Sequence, residues 1–187
     1  MASDISLTVG SQILFNVAGS YSPSAVLHNI ELGTATDVAF DLTSVASAAA
    51  EASDKADLTA NRAPMYAVHA AVEMAVAPTT GQTIDFYWAP SVSDDDGTGN
   101  PGWVSGDTGA YTGTPATLAE GLKQLMFIGS MVMSADATPT VQMAYIGTFS
   151  SPTRYGSLVA HNNTDQATHS DAVEQAVSFT PIIPQGS

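Results

Sequence analysis

Met65-Tyr66-Ala67-Val68-His69-Ala70-Ala71-Val72-Glu73-Met74-Ala75-Val76, followed by Thr83-Ile84-Asp85-Phe86-Tyr87-Trp88, is the stretch whose pattern sets the fold class. In the first run Tyr66, Val68, Ala70, Val72, Met74 and Val76 recur at every second position, with Ala67, His69, Ala71, Glu73 and Ala75 between them. In the second, Ile84, Phe86 and Trp88 alternate with Thr83, Asp85 and Tyr87. Period two marks a strand with one buried face, whereas a helix needs apolar residues three and four apart. Residues 77–82 carry Pro78 and Gly81 and have hairpin length, so the two runs are expected to form an antiparallel hairpin.

The same reading extends along the chain. Ile5, Leu7 and Val9 alternate with polar residues, and Ile13-Leu14-Phe15 follow before Pro23 breaks the run, so residues 1–24 are expected to form an extended N-terminal arm with one or two short strands. Val26 to Leu32 and Val38 to Leu42 suggest two more strands. Residues 43–60 are Ala-rich, with Glu51 and Lys55 four apart, and fit a helix or an extended segment equally. Residues 89–117 are rich in Gly and Asp and predict a long loop carrying Trp103 and Tyr111, of the kind that serves function or an interface. Leu118 to Gln124 suggests one helical turn. Residues 125–133 predict a strand buried on both faces; Val141, Met143, Tyr145 and Phe149 are expected on one face of the next. Tyr155 to Ala160 and Val173 to Pro184 complete the set, with Val177 and Phe179 on one face of the last. Seven to nine short strands with turns between them predict an all-β, antiparallel two-sheet β-sandwich, with a jelly roll as one form of it, and a single domain over 25–187.

Composition narrows the function. Among 187 residues there is no cysteine, which excludes disulfide frameworks, thiol nucleophiles and Cys-ligated metals. Four Lys and Arg against 18 Asp and Glu give a net charge of −14, so the basic footprint needed for nucleic acid or an anionic membrane is missing. Charged residues are only 12%, about half the usual share. Ser and Thr, 20 each, take their place, and scarce Lys suits surfaces that pack against other surfaces. An acidic exterior from a salty habitat is the alternative. The opening Met1-Ala2-Ser3-Asp4 lacks the basic and apolar regions of a secretory signal, and no 18-residue apolar run is present, so cytoplasmic synthesis without a membrane span is expected.

Chemical motifs are few. Asp94, Asp95 and Asp96 beside Gly97 offer oxygens to a hard cation, but consecutive side chains diverge and the EF-hand spacing is missing; a solvated acidic turn is the stronger expectation. His161, Asp165, His169 and Asp171 would share a face only on a helix, and the segment reads as a polar loop. Ser130 follows Gly129 without a G-x-S-x-G elbow, and neither G-x-G-x-x-G nor a Walker loop occurs. No enzyme activity and no cofactor is expected. Trp103 and Tyr111 are candidates for a partner contact or for stacking on sugars, against packing on their own loop.

Residues 55–66 (Lys55-Ala56-Asp57-Leu58-Thr59-Ala60-Asn61-Arg62-Ala63-Pro64-Met65-Tyr66), 84–91, 99–102, 122–129 and 154–159 together resemble small structural proteins of tailed bacteriophages. The resemblance spans roughly residues 50–185 and has no catalytic motif. It implies a virion component assembled in the host cytoplasm, foremost a head decoration or cement protein bound to the major capsid protein or another virion protein, with a tail or neck role also open. It further implies a symmetric homo-oligomer, a trimer foremost. Ile5, Leu7, Val9, Ile13, Phe15, Trp103 and Tyr111 are the expected interface, with the arm adding to a neighbour's sheet. All four basic residues, Lys55, Arg62, Lys123 and Arg154, lie in or beside these segments, and internal ion pairs are expected for them. The competing reading is a carbohydrate-binding or adhesin-like module with an aromatic platform around Trp88, Trp103 or Tyr111.

Overall fold

A strand with one apolar face must cover it with another layer. In the computed structural model, which describes residues 10–17, 19–58 and 63–182, two sheets meet over those faces. The strands are β1 (Ile13–Asn16), β2 (Thr36–Ala39), β3 (Ala50–Ala52), β4 (Ala56–Asp57), β5 (Met65–Glu73), β6 (Thr83–Ser91), β7 (Gly109–Tyr111), β8 (Met126–Val132), β9 (Val141–Phe149), β10 (Tyr155–Asn163) and β11 (Ala176–Ile182). One sheet, here sheet A, runs β2-β1-β11-β5-β9. The other, sheet B, runs β7-β3-β10-β6-β8, with β4 also paired to β10. Only β1 and β2 pair in parallel; the other ladders are antiparallel. The all-β two-sheet sandwich is thus the architecture. A short helix, α1 (Leu118–Leu122), lies where one helical turn was expected, started by a capping box between Thr117 and Glu120.

The hairpin expected from 65–88 is absent. β5 lies between β11 and β9, while β6 lies between β10 and β8, so residues 77–82 carry the chain from one sheet to the other. Of the residues the alternation turned inward, Tyr66, Val68, Ala70, Val72, Met74, Ile84, Phe86 and Trp88 are buried in the core, whereas Val76, beyond the end of β5, is exposed. Period two says which residues face inward, but not which strand is the neighbour. Crossing between layers sets the two apolar faces against each other, whereas a hairpin would leave both needing a cover.

That core is aromatic. Phe15, Trp88, Phe149 and Phe179 meet with ring centroids 4.7 Å (Phe15–Phe179), 4.9 Å (Phe149–Phe179), 5.5 Å (Trp88–Phe149) and 5.6 Å (Trp88–Phe179) apart. Ile13 and Phe15, expected at an interface, are buried here, because β1 is an inner strand between β2 and β11 and its side chains face β6 and β11. Ile5, Leu7 and Val9 lie outside the described residues.

Several local expectations change for identifiable reasons. Residues 26–32 form no strand: Val26–His28 is a 3-10 turn in a segment laid over sheet A. Residues 43–58 hold β3 and β4 rather than a helix, and Ser44 and Ala48 adopt positive φ of 56° and 58°, which a helix cannot accommodate. β8 is an edge strand, not one covered on both faces; Phe127 and Val132 are exposed. In β9 a bulge at Ile146 reverses the face, so Ala144, Ile146 and Phe149 turn inward while Met143 and Tyr145 turn out. β8 has a matching bulge at Ile128. The bulged edges run beside each other: a Cβ on Gly147 would stand 3.2 Å from the Ile128 carbonyl oxygen, and one on Gly129 would collide with that of Ile146. Bulges of this kind discourage a foreign strand from pairing with either edge.

Candidate functional site

Residues 92–125, expected to be mostly loop, follow β6, add β7 to the edge of sheet B beside β3, and otherwise fold back over the outer face of that sheet. Ala50, Ala52, Ala89 and Val159 keep that face low, and Val104, Tyr111, Leu122 and Leu125 settle on it as a second apolar cluster. Tyr111 is buried there and donates its hydroxyl to the Gly102 carbonyl at 2.6 Å. A Cβ on Gly121 would collide with that hydroxyl. Tyr111, expected at an interface, therefore packs on its own chain and closes its own loop. Trp103, at φ 60°, remains half exposed beside it. Trp88 lies fully inside the core, so neither Trp88 nor Tyr111 forms part of an exposed aromatic platform.

The covering segment stops short of the sheet edge, and a groove of about 510 Å³ opens there. Its floor is outward-facing: Asp85 and Tyr87 from β6, His161 and Asn163 from β10, with His161 opposite Asp85 in the ladder. Leu122, Lys123 and Leu125 form one wall and Phe127 of β8 the other. Tyr87 and Phe127 meet edge to face at 5.4 Å. Burial, then the nearby Asp85 charge, pushes the Tyr87 hydroxyl above its ordinary pKa, so it stays a neutral donor. Ser130 donates directly to Asp85 Oδ1 at 2.6 Å. In a nucleophile–base arrangement an imidazole would accept that proton, so this serine is tied to a carboxylate instead. Asp85, Tyr87 and Phe127 were not singled out from the sequence; the available signal was two aromatics and an acid at strand positions that face away from the core.

The acidic turn holds a cation from the chain itself. Lys55 Nζ donates to the carbonyl oxygens of Ser93 (3.1 Å), Asp95 (2.5 Å) and Thr98 (3.1 Å). The carboxylates of Asp94, Asp95 and Asp96 do not converge; the backbone wraps an ammonium. His161, Asp165, His169 and Asp171 are dispersed likewise. His169 Nδ1 is 3.0 Å from Glu73 Oε2, Asp165 accepts from Thr79 at 3.1 Å and 2.7 Å, and Asp171 caps Val173. Among the described residues no group of three His, Asp or Glu is placed to hold a metal. Arg154 makes the expected internal pair, bidentate to Asp57 at 2.8 Å and 2.7 Å. Lys123 stands at the groove rim, and Arg62 lies outside the described residues.

Glu51 is a carboxyl strongly altered by the fold. Its neighbours Ala50 and Ala52 pack outward, so it turns toward the sandwich interior, where burial and then the Asp41 charge push its carboxyl up to about 7. A carboxyl raised in the folded state stabilises fully below its ordinary 4.5 and loses that contribution as pH climbs through 7. Denaturant unfolding should therefore show stability falling between pH 5 and 8. Glu51→Gln should flatten this dependence and be about 1–2 kcal/mol more stable than the wild type at pH 8, a figure reduced for the residue's partial solvent screening.

A second exposed feature lies on sheet A. Residues 20–35 cross its outer face, pinned by Tyr21, which packs with Leu14 and Ala176 and donates to the His28 carbonyl at 2.6 Å. Gln12 fixes the far end through Ile30 and Leu32, at 2.9 Å and 2.7 Å. This anchored segment holds Val26 and Leu27 in solvent at 91% and 85% exposure. Met143, Tyr145 and His69 continue the surface around a notch of about 140 Å³. No protein-family model, curated protein or solved structure matches this chain.

Proposed function

We propose that this protein is a non-enzymatic structural component of a virion, a head decoration or cement protein that binds the capsid surface as a symmetric oligomer. The observation that carries the reading is the strand order. Within the two sheets, β1-β11-β5-β9 lies over β3-β10-β6-β8. The first and last strands are neighbours, and the chain switches sheet at 40–49, between β4 and β5, and at 74–82, 133–140, 150–154 and 164–175. That order supports a jelly roll, an architecture recurrent in viral capsid domains, though also in lectins and cupins. The scarcity of Lys and the anchored display of Val26 and Leu27 support a surface built for contact.

Mass spectrometry of density-banded particles from the source lysate tests the proposal. Tens to hundreds of copies per particle are expected; absence from particles with abundance in the soluble fraction overturns it. The contact surface has its own test. Leu27→Asp should weaken attachment to undecorated particles at least about 30-fold, a loss of about 2 kcal/mol, while leaving the melting temperature unchanged. An arm truncation must end at residue 9, because Ile13–Asn16 is a core strand and its removal would unfold the sandwich.

A further inference from the structure

We propose that the groove on sheet B is a binding site for a neutral saccharide. The inference is independent of the virion reading, since it rests on the groove alone. Its volume, about 510 Å³, is within the range of small-ligand sites. What selects the ligand is the alternation of apolar and polar surface. Phe127 is 58% exposed on edge strand β8, opposite Tyr87 in the ladder with β6, and Tyr87 buttresses it from the side. Its ring is a fixed apolar platform. Around it stand a carboxylate (Asp85), an imidazole (His161), an amide (Asn163) and an ammonium (Lys123). A pyranose matches this set: its axial C–H face is apolar and its rim carries hydroxyls that both donate and accept.

Other ligand classes fit less well. An anion would meet Asp85 and a chain of net charge −14 with only Lys123 in its favour. A wholly apolar ligand would strip water from the Asp85 carboxylate and the Asn163 amide while offering neither a hydrogen bond. A metal ion would find one carboxylate and one imidazole, fewer protein ligands than a zinc site needs. Because Asp85 already accepts from Ser130, its carboxylate is oriented before any ligand arrives.

The test is titration of the isotopically labelled protein with maltotriose, cellotriose and tri-N-acetylchitotriose, with trigalacturonate as the acidic comparison, followed by amide NMR. At least one neutral trisaccharide should shift the amides of residues 85–87, 127 and 161–163, with a Kd near about 1 mM or tighter. Trigalacturonate should bind at least about 10-fold more weakly. Phe127→Ala and Asn163→Ala, both at exposed positions, should each weaken binding about 10-fold or more while the rest of the spectrum is unchanged. No response to any neutral trisaccharide up to about 10 mM overturns the site. So does binding that both variants leave intact, or tighter binding of the acidic sugar. None of these outcomes bears on whether the protein is found in particles.

Discussion

Trp88→Ala should lower the stability of the protein by about 3–5 kcal/mol, enough to reduce the melting temperature by roughly 6–20 °C. Trp88 is fully buried and joins the two sheets: it projects from β6 onto Phe15 of β1, Phe149 of β9 and Phe179 of β11. Its indole Nε1 donates to Ser151 Oγ at 3.0 Å, so truncation also removes one of the hydrogen bonds of a buried hydroxyl. The space beneath the ring exists because residue 156 has no side chain. A Cβ there would lie 2.7 Å from the Ala89 carbonyl oxygen and would collide with the edge of the indole ring. Gly156→Val should therefore destabilise by a comparable amount through overpacking, although it removes no atom. Thermal and denaturant unfolding check both. A Gly156→Val protein as stable as the wild type would show that Trp88 can move, and that the core is looser than its ring distances imply.

Lys55→Met should cost about 2 kcal/mol, or roughly 4–8 °C, a large effect for a single lysine. Most lysines can be replaced at little cost because water solvates the ammonium. Here three carbonyl oxygens of residues 93–98 converge on Nζ, and the Lys55 amide donates to Gly106 at 2.7 Å. Methionine preserves the stem but leaves the carbonyls without their shared donor. Amide exchange in residues 92–99 should accelerate while exchange in β5, β6, β10 and β11 stays slow, because the loop is attached to the sandwich rather than part of its core. Adding calcium to the wild-type protein should leave the melting temperature unchanged, because the ammonium occupies the place where backbone oxygens gather.

Much of the fold was legible along the chain because side-chain alternation is a local property. The inward residues of β5, β6 and β11 can be read from period two, and each of the two long runs sits at its expected strand. Where the local signal misled, a non-local partner was responsible. Val141, Met143 and Tyr145 do alternate, but a bulge opposite β5 inserts Ile146 and exchanges the faces beyond it. Ile13 and Phe15 look like an arm's apolar stripe; only β11 and β2, distant in sequence, turn them into core. The acidic run at 94–96 suggested oxygens for an ion, and the ion is supplied by a lysine about 40 residues earlier.

The candidate site was less legible for the same reason. Asp85, Phe127 and His161 come from three strands, and nothing in their spacing joins them. The pairing of β6 with β8 and β10 brings them to one groove, and the covering segment that ends at Leu125 leaves that groove open. By itself the sequence determined the strand-rich class, the inward face of most strands, the absence of thiol chemistry and the strongly acidic balance. These follow from residue type and from a periodicity the backbone imposes within a few residues. The tertiary structure decided that β5 and β6 part into different sheets, that Tyr111 is sealed while Phe127 is shown, and that Lys55 serves a distant loop. Those outcomes depend on which apolar faces come together across the sandwich, and that is settled by burying all of them at once.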